Sequence, residues 1–218
     1  MQSTDLVQGR HPGWPARLGP LTVSAGVVRL RPPRLTDASA WSLLRMADRT
    51  SLENWEPGGP GTWAERNGLL SWPGQWSALR RMARRGQSLP FMILVDGEIA
   101  GQVTVGNVVR GALRSAWVGY WVGSRFTCGG VATAAVALVV DHCFGAGGLH
   151  RVEATVRPEN EASLRVLAKL GFREEGLFRR YLDVAGGWRD HVCLALTVED
   201  HVEGLISRLV AAGKARRG

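Results

Sequence analysis

Two adjacent glycines, Gly129 and Gly130, stand directly before an almost uninterrupted run of alanine, valine and leucine that continues to Phe144. The run is apolar nearly all round, which predicts a buried helix over residues 131–144. The first N–H groups of a helix lack partners within it, and together with the helix dipole they favour an anion such as a phosphate. Glycine lets that anion approach the backbone closely. The pair therefore predicts either a phosphate cradle or a simple tight turn.

The surrounding residues do not match the two common nucleotide-binding loops. No G-x-G-x-x-G pattern is present and no G-K-[ST] follows the glycines, which argues against a Rossmann fingerprint and a Walker A loop. A second polar group comes later in the chain. Asn160, after Pro158, is a candidate N-cap, and Ser163 lies about one helical turn further on. These two side chains can therefore face the same side of a helix.

Apolar periodicity and turn residues predict the elements that position these side chains. The predicted strands are 27–31, 91–95, 98–105, 116–122, 150–157, 177–184 and 191–198. The predicted helices are 36–47, 71–83, 131–144, 160–169 and 200–212. Strands and helices in this order indicate an α/β (α+β) sheet fold in one domain.

Three regions follow from this order. Residues 1–26 carry four glycines and three prolines, and we interpret them as an N-terminal extension or a loosely docked lead-in. Residues 27–199 form the predicted domain. Residues 200–218 form a C-terminal helix and a basic tail, and the helix either packs back or mediates a dimer, so that both monomer and dimer stay open.

The segment R157-P-E-N-E-A-S-L-R-V-L-A-K-L-G-F172, taken with the glycine block at 125–144, closely resembles the Gcn5-related N-acetyltransferase (GNAT) superfamily. The later segments R173-E-E-G-L-F-R-R-Y-L and G187-W-R-D-H-V-C-L resemble the branch that acetylates ribosomal-protein N-termini, the RimJ/RimL-like alanine N-acetyltransferases. The resemblance implies a GNAT fold: a strongly twisted mixed β-sheet with splayed central parallel strands, flanked by helices. It identifies those strands as 116–122 and 151–156, with acetyl-CoA between them.

The family's pyrophosphate loop, Q/R-x-x-G-x-G/A, falls on residues 127–132 of this sequence. Gly130 and Ala132 fit the pattern, whereas Thr127 stands where Gln or Arg is usual and Cys128 where glycine is frequent. We infer that Arg125 can supply the missing charge. The acetyl-CoA contacts predicted from the resemblance are Tyr120, Trp121, Val122, Arg125, Thr127, Cys128, Gly129, Gly130, Val131, Ala132, Thr133, Asn160 and Ser163.

The resemblance also implies catalytic roles. Asn160 is expected to contact the pantetheine arm of the cofactor. Many acetyltransferases use a tyrosine seven residues after this Asn to protonate the departing CoA thiolate. Here that position is Leu167, so Ser163 is the predicted substitute. It is open whether the hydroxyl acts as an acid or is merely structural.

The attacking amine must lose a proton, because an α-amino group has a pKa near 8. Related enzymes place a glutamate on the second splayed strand at the position of Thr155, so Glu153, on the same strand face, is a shifted candidate base. The alternative is a glutamate paired with Arg151 or Arg157. Tyr181 and Asp183, on a later strand, are the other candidates, because the RimL-like branch has a carboxylate near there.

The net charge of +8 arises from 27 basic and 19 acidic residues, and arginine carries nearly all of the positive charge. Arginine suits anionic partners, so a contact with RNA or the ribosome is possible in addition to acetyl-CoA. The three cysteines form no C-x-x-C pair, and no metal site is expected. The absence of a signal-peptide core and of a long apolar run predicts a soluble, cytoplasmic protein without membrane contact.

The predicted activity is therefore transfer of acetyl from acetyl-CoA to a primary amine by direct attack in a ternary complex. The expected acceptor is the N-terminal alanine or serine of a protein, and a ribosomal protein is favoured. The alternatives are a small-molecule amine acetyltransferase and a CoA-binding, ribosome- or RNA-associated protein with little catalysis.

Overall fold

The computed structural model describes residues 11–218, in which nine strands form one mixed sheet in the order β7-β8-β6-β5-β4-β3-β2-β1-β9. Within these residues β5 and β6 are the parallel pair, and the other neighbouring strands are antiparallel. The strands are β1 (Leu18–Val23), β2 (Gly26–Arg31), β3 (Leu89–Val95), β4 (Glu98–Val109), β5 (Ser115–Val122), β6 (Arg151–Val156), β7 (Arg173–Val184), β8 (Gly187–Thr197) and β9 (Arg216–Arg217).

Helices cover both faces of this sheet. They are α1 (Ala38–Ala47), α2 (Arg49–Leu52), α3 (Trp63–Asn67), α4 (Trp72–Arg84), α5 (Val131–Phe144), α6 (Glu161–Leu170) and α7 (Leu205–Ala211). The larger core contains buried residues of α5, α6 and α7, and a smaller core contains Trp41 of α1 and Trp72 of α4. None of the helices within residues 11–218 is long and apolar enough to cross a membrane.

Alternation along β5 shows how the two cores lie on opposite faces. Tyr120 and Val122 pack against the α5 core, whereas Trp121 between them packs against the α1 and α4 core. Successive side chains of a strand point to opposite faces. We call the α5 side the helix face and the α1 and α4 side the acceptor face.

The parallel strands β5 and β6 pair only at their first residues within the described sheet. The paired residues are Ser115 with Arg151, Ala116 with Val152 and Trp117 with Glu153. Beyond this point β5 continues to pair with β4, and β6 continues to pair with β8. The two strands therefore diverge and open a cleft toward their carboxyl ends, which confirms the predicted splayed, mixed-sheet fold.

The prediction that residues 1–26 are a loosely docked extension is wrong for 18–23. These residues form β1, in which Leu21 is fully buried. The strand was hidden because Gly19 and Pro20 interrupt its alternation and its pairing with β2 is irregular between Leu18 and Leu21. The C-terminal tail also joins the sheet, because β9 pairs with β1. The part of the predicted extension at residues 1–10 lies outside the described residues.

The last predicted elements need similar corrections. The helix predicted at 200–212 begins later, at Leu205, after Gly204 at a φ of 77°. The Asp141 carboxylate accepts hydrogen bonds from the N–H groups of Leu205 and Ile206 and so fixes this start. The final two strands begin earlier than predicted, at Arg173 and Gly187, and their pairing is irregular between Glu174 and Gly176 and between Phe178 and Leu182.

Replacing Leu21 by alanine tests whether β1 is part of the folded core. We expect the free energy of unfolding to fall by about 2–5 kcal/mol, because a fully buried leucine leaves a cavity. Chemical denaturation measures it. Leu70→Ala, at a side chain that is 93% exposed, is the control and should change stability by less than about 0.5 kcal/mol. Equal effects of the two changes would mean that β1 is only loosely attached.

Candidate active site

The loop between β5 and α5 ends in a backbone conformation that leaves its amides without hydrogen-bond partners in the described part of the chain. Gly130 is the N-cap of α5 at a φ of 85°, and Cys128 also has a positive φ, of 62°. The backbone N–H groups of residues 128–133 find no acceptor among residues 11–218. Six such donors at the start of a buried helix form a site for an anion.

The turn between β1 and β2 orients this loop. The carbonyl oxygen of Gly129 accepts hydrogen bonds from the Ala25 N–H at 3.1 Å and from the Ser24 hydroxyl at 3.0 Å. In a trans peptide the N–H points opposite to the C=O, so the Gly130 N–H points away from the turn. A Cβ at Gly129 would lie only 2.4 Å from the Ala25 Cβ. The glycine is therefore required by this close approach.

A buried carboxylate holds the other end of the loop. Asp48, at the end of α1, accepts hydrogen bonds from the Ser124 N–H and the Ser124 hydroxyl, both at 2.6 Å. Ser24, Ala25 and Asp48 were not predicted to serve the site. Their contacts with the loop join residues 76 or more positions apart in the chain, and no local pattern signals such contacts.

Two of the predicted cofactor contacts are engaged within the protein. The Thr127 hydroxyl donates to the Ser124 carbonyl at 2.7 Å, so it serves the loop itself. The Arg125 guanidinium pairs with Glu98 at 3.0 Å and lies over the Phe126 ring. Arg125 can therefore add charge to a bound anion only by leaving Glu98.

The deep part of the cleft is bridged by polar side chains from its two walls. The Tyr120 hydroxyl of β5 lies 2.9 Å from the Ser163 hydroxyl of α6. The Asn160 side chain accepts a hydrogen bond from the Ser163 N–H at 3.1 Å, which confirms the predicted cap of α6. Burial raises the pKa of Tyr120 to about 12, although the hydrogen bond from Ser163 acts in the opposite direction. Tyr120 is therefore a neutral phenol that can donate a proton.

The three predicted bases do not lie together. Glu153 lies at the closed end of the cleft, opposite Trp117, and its Oε1 accepts from Arg151 Nε at 2.6 Å. Arg151 also pairs with Glu175, which pairs with Arg173 as well. Hydrogen bonds from these two arginines lower the pKa of Glu175 to about 2. Glu153 is thus tied into a chain of ion pairs, as the paired alternative described.

Tyr181 and Asp183 lie on β7, toward the opposite, open end of the cleft. The Tyr181 ring lies 5.1 Å from Phe178 and 5.6 Å from the imidazole of His191. The Asp183 carbonyl accepts from the Gly58 N–H at 2.8 Å, which joins β7 to the loop at residues 53–62. We call residues 53–62 the covering loop.

Arginine and tryptophan fix the acceptor face of the cleft. The guanidinium of Arg45, a buried residue of α1, lies 5.5, 4.9 and 5.1 Å from the rings of Trp41, Trp63 and Trp121. It also forms a two-pronged ion pair with Glu56 of the covering loop. Such stacking and pairing join α1, the covering loop and the free end of β5.

Within residues 11–218 no group of three or more His, Cys, Asp and Glu side chains is placed to hold a metal ion. The unpaired amides at the start of α5 suit a phosphate. The hydroxyl pair of Tyr120 and Ser163 suits a reacting group. Together they fit a long ligand that carries a phosphate at one end and a reacting group at the other. The residues present therefore fit acetyl-CoA as a substrate.

Comparison with known proteins agrees with this geometry. The family model described as an acetyltransferase (GNAT) domain matches residues 28–173. The [ribosomal protein uS5]-alanine N-acetyltransferase of Escherichia coli (strain K12) is 32% identical over 195 residues, which cover 84% of this chain and 93% of that protein. The match to the probable N-acetyltransferase YjcK of Bacillus subtilis is 42% identical and spans 48% of this chain and 58% of that relative.

A solved structure of Mycobacterium smegmatis RimJ in complex with CoA-disulfide has 58% sequence identity and a TM-score of 0.94, and covers 95% of this chain and 100% of that chain. The structure of RimL, the ribosomal L7/L12 α-N-protein acetyltransferase, in complex with coenzyme A has 18% identity and a TM-score of 0.72, covers 83% of this chain and 99% of that chain, and supports the fold. The chain belongs to the GNAT family of acetyltransferases, the acetyl-CoA-dependent N-acetyltransferases.

Proposed function

We propose that this enzyme transfers the acetyl group of acetyl-CoA to the α-amine of a protein N-terminus, and that the acceptor is the N-terminal alanine or serine of a ribosomal protein. The observation that carries the proposal is the similarity, over 84% of the chain, to an enzyme named for the alanine of ribosomal protein uS5. A ribosomal acceptor would imply a cytoplasmic enzyme.

The exposed amides of residues 128–133 bind the pyrophosphate of acetyl-CoA in this proposal. From there the pantetheine arm follows the cleft between β5 and β6, with Trp121, Val122 and Asn160 beside it. The thioester then lies near the Tyr120 and Ser163 hydroxyls. A backbone N–H near Trp121 or Val122, freed from pairing with β6 by the splay, polarises the thioester carbonyl.

The Tyr120 and Ser163 hydroxyls form the proton donor for the CoA thiolate. Leu167, which occupies the position of the usual acid, has no proton to donate and is fully buried in the core. The Tyr120 phenol keeps its proton because burial raises its pKa, and Ser163 lies within hydrogen-bond distance to relay it. Much of the remaining acceleration comes from holding the amine against the thioester, which can contribute about 7–11 kcal/mol.

Contact with RNA and the oligomeric state stay predictions. The side chains available for a ribosomal surface are the exposed arginines at the end of α4, which are Arg80, Arg81, Arg84 and Arg85. They lie on a solvent-facing helix, where clustered positive charge attracts phosphate. Two roles were predicted for the C-terminal helix, packing back on the domain or mediating a dimer. Helix α7 packs back on α5 through Asp141.

Substituting Gly130 by valine should weaken acetyl-CoA binding by at least about tenfold. Valine does not readily adopt the positive φ of Gly130, so the backbone shifts and the unpaired amides are displaced. Calorimetric titration with acetyl-CoA measures the affinity. Gly111→Val is the matched control, because Gly111 has a φ of 74° and open space around it, remote from the loop. Equal affinity in the two variants would remove the phosphate cradle from the mechanism.

Removing either hydroxyl of the donor pair should lower kcat by about 100-fold or more. The variants are Tyr120→Phe and Ser163→Ala, followed by release of free CoA thiol. If the two hydroxyls act as one relay, the double variant should be little worse than either single one. Since the pKa of Tyr120 is about 12, the proton-donor contribution should persist as pH rises through 9. Multiplicative losses would mean that the two groups act separately.

The acceptor is tested with peptides that begin with alanine or serine, each compared with the same peptide already acetylated at its N-terminus. We expect thiol release and an added acetyl group only with the free amine. A peptide whose sole amine is a lysine side chain controls for position. Turnover on the lysine peptide or on small amines alone would replace the proposed acceptor, and binding of acetyl-CoA without turnover on any amine would favour a non-catalytic role.

A further inference from the structure

His191 of β8 is a buried histidine whose two ring nitrogens are in different situations. His191 is only 3% exposed. Nδ1 lies 3.0 Å from the carbonyl oxygen of Arg189. A carbonyl oxygen only accepts, so Nδ1 carries the proton and Nε2 holds the basic lone pair.

Nε2 of His191 has no hydrogen-bond partner among residues 11–218. The fully enclosed side-chain polar atoms that lack a partner in this part of the chain are Trp41 Nε1, Arg66 Nε and Ser88 Oγ. Since His191 Nε2 is not one of them, this nitrogen borders accessible space. A purely structural role accounts for the hydrogen bond at Nδ1. It does not account for the basic Nε2, which has no partner among residues 11–218.

The strand places that nitrogen on the acceptor face. Val192, Leu194 and Leu196 of β8 pack into the α5 core. His191 and Cys193 therefore point to the other face, on which Trp121 also lies. Thr155 of β6 is the partner of Cys193, so His191 lies one step further along, beside the end of β6. That position is at the open end of the cleft.

The groups around His191 leave it as the available base. From β7, the Tyr181 ring lies at 5.6 Å and Phe178 is its cross-strand partner. From β6, Arg157 is turned toward Glu159 and the Asn54 carbonyl. On its own strand, Asp190 accepts from the Arg180 N–H, and Arg189 donates to the Val184 carbonyl.

The glutamates of the covering loop and of β6 are paired with arginine. Glu53 pairs with Arg49 and Glu56 with Arg45. Glu153, at the far end of the cleft, pairs with Arg151. The Asp183 carboxylate lies beside Gly58, at the edge of the covering loop, and forms no ion pair with the residues that the structure describes. An imidazole with a free lone pair suits proton removal near neutral pH better than a carboxylate held by arginine.

We propose that His191 Nε2 is the general base that removes the proton from the acceptor's α-ammonium group. The inference rests on the proposed N-terminal acetyl transfer. His191 lies on β8, the strand next to β6, and neighbouring strands are about 5 Å apart. In this proposal one water molecule carries the proton from the amine to Nε2. The neutral amine then forms the N–C bond with the thioester carbonyl. As the C–S bond breaks, the second amine proton passes through Tyr120 and Ser163 to the thiolate, and His191 releases the first to solvent.

The substitution His191→Asn separates this role from a structural one. The asparagine amide NH₂ overlays Nδ1 and can keep the bond to the Arg189 carbonyl, but nothing replaces the Nε2 lone pair. We expect kcat/KM for a free N-terminal peptide to fall about 100-fold near pH 7. The loss should shrink toward about pH 9, because the acceptor amine, with a pKa near 8, then deprotonates without help. Added imidazole should restore part of the rate near pH 7.

His150→Asn is the matched control, because His150 is a partly exposed histidine that pairs with Glu199 away from the cleft; its kinetics should match the unmodified enzyme. Melting temperature and acetyl-CoA affinity, measured on both variants, detect any loss of fold. If His191→Asn does not fold, His191→Gln, whose amide reaches the Nε2 position, takes its place in the same pH series.

A His191 variant within about threefold of the unmodified enzyme at every pH would overturn the inference, since general-base removal costs far more. So would a loss that is the same at every pH and is not relieved by imidazole, because that is the signature of altered structure. Failure of the unmodified enzyme to acetylate any free N-terminus would instead reject the proposed function.

Discussion

The early end of pairing between β5 and β6 is the constraint on which the site depends. Two adjacent parallel strands normally continue their ladder, because an unpaired backbone group away from water is costly. Here the ladder stops after Trp117 and Glu153. Each strand stays paired with its outer neighbour, and the freed inner edges face a cleft that a polar ligand can fill. The fold thus leaves hydrogen-bonding capacity unused in its centre and makes it available to acetyl-CoA.

Opposite ends of this cleft are stabilised in different ways. At the closed end, Arg151 links Glu153 and Glu175, and Arg173 extends the ion pairs to Asp200. At the open end the contacts are aromatic and loop-mediated: Arg45 between tryptophans, and Asp183 against the covering loop. The closed end is therefore held by charge, and the open end by a loop that shares an ion pair with α1. This division would suit the proposed acceptor, a peptide that enters at the open end of the cleft.

The features that depend only on neighbouring residues could be predicted from the sequence. The helix after Gly130 and the Asn160 cap depend on neighbouring residues, and both are present. The resemblance to the acetyltransferases supplied the splay. What the sequence could not predict are the contacts between distant residues. Asp48 reaches Ser124, and Ser24 reaches Gly129. The local bond between His191 and the Arg189 carbonyl was missed for another reason, because no sequence pattern indicates which ring nitrogen of a histidine stays unpaired. β1 escaped prediction because glycine and proline mask its alternation.

The turn between β1 and β2 gives the cofactor loop an anchor in the outermost part of the sheet. Ser24 and Ala25 hold the Gly129 carbonyl, β1 continues from that turn, and β9 pairs with β1 at the sheet's edge. Free energies of binding and of local opening are linked reciprocally. A ligand that binds the loop only while Gly129 is bonded to Ser24 and Ala25 must therefore protect β1 and β9 from fraying. Conversely, whatever loosens that edge would raise the free-energy cost of holding a ligand on the loop, so in the proposed site the far edge of the sheet contributes to the free energy of acetyl-CoA binding.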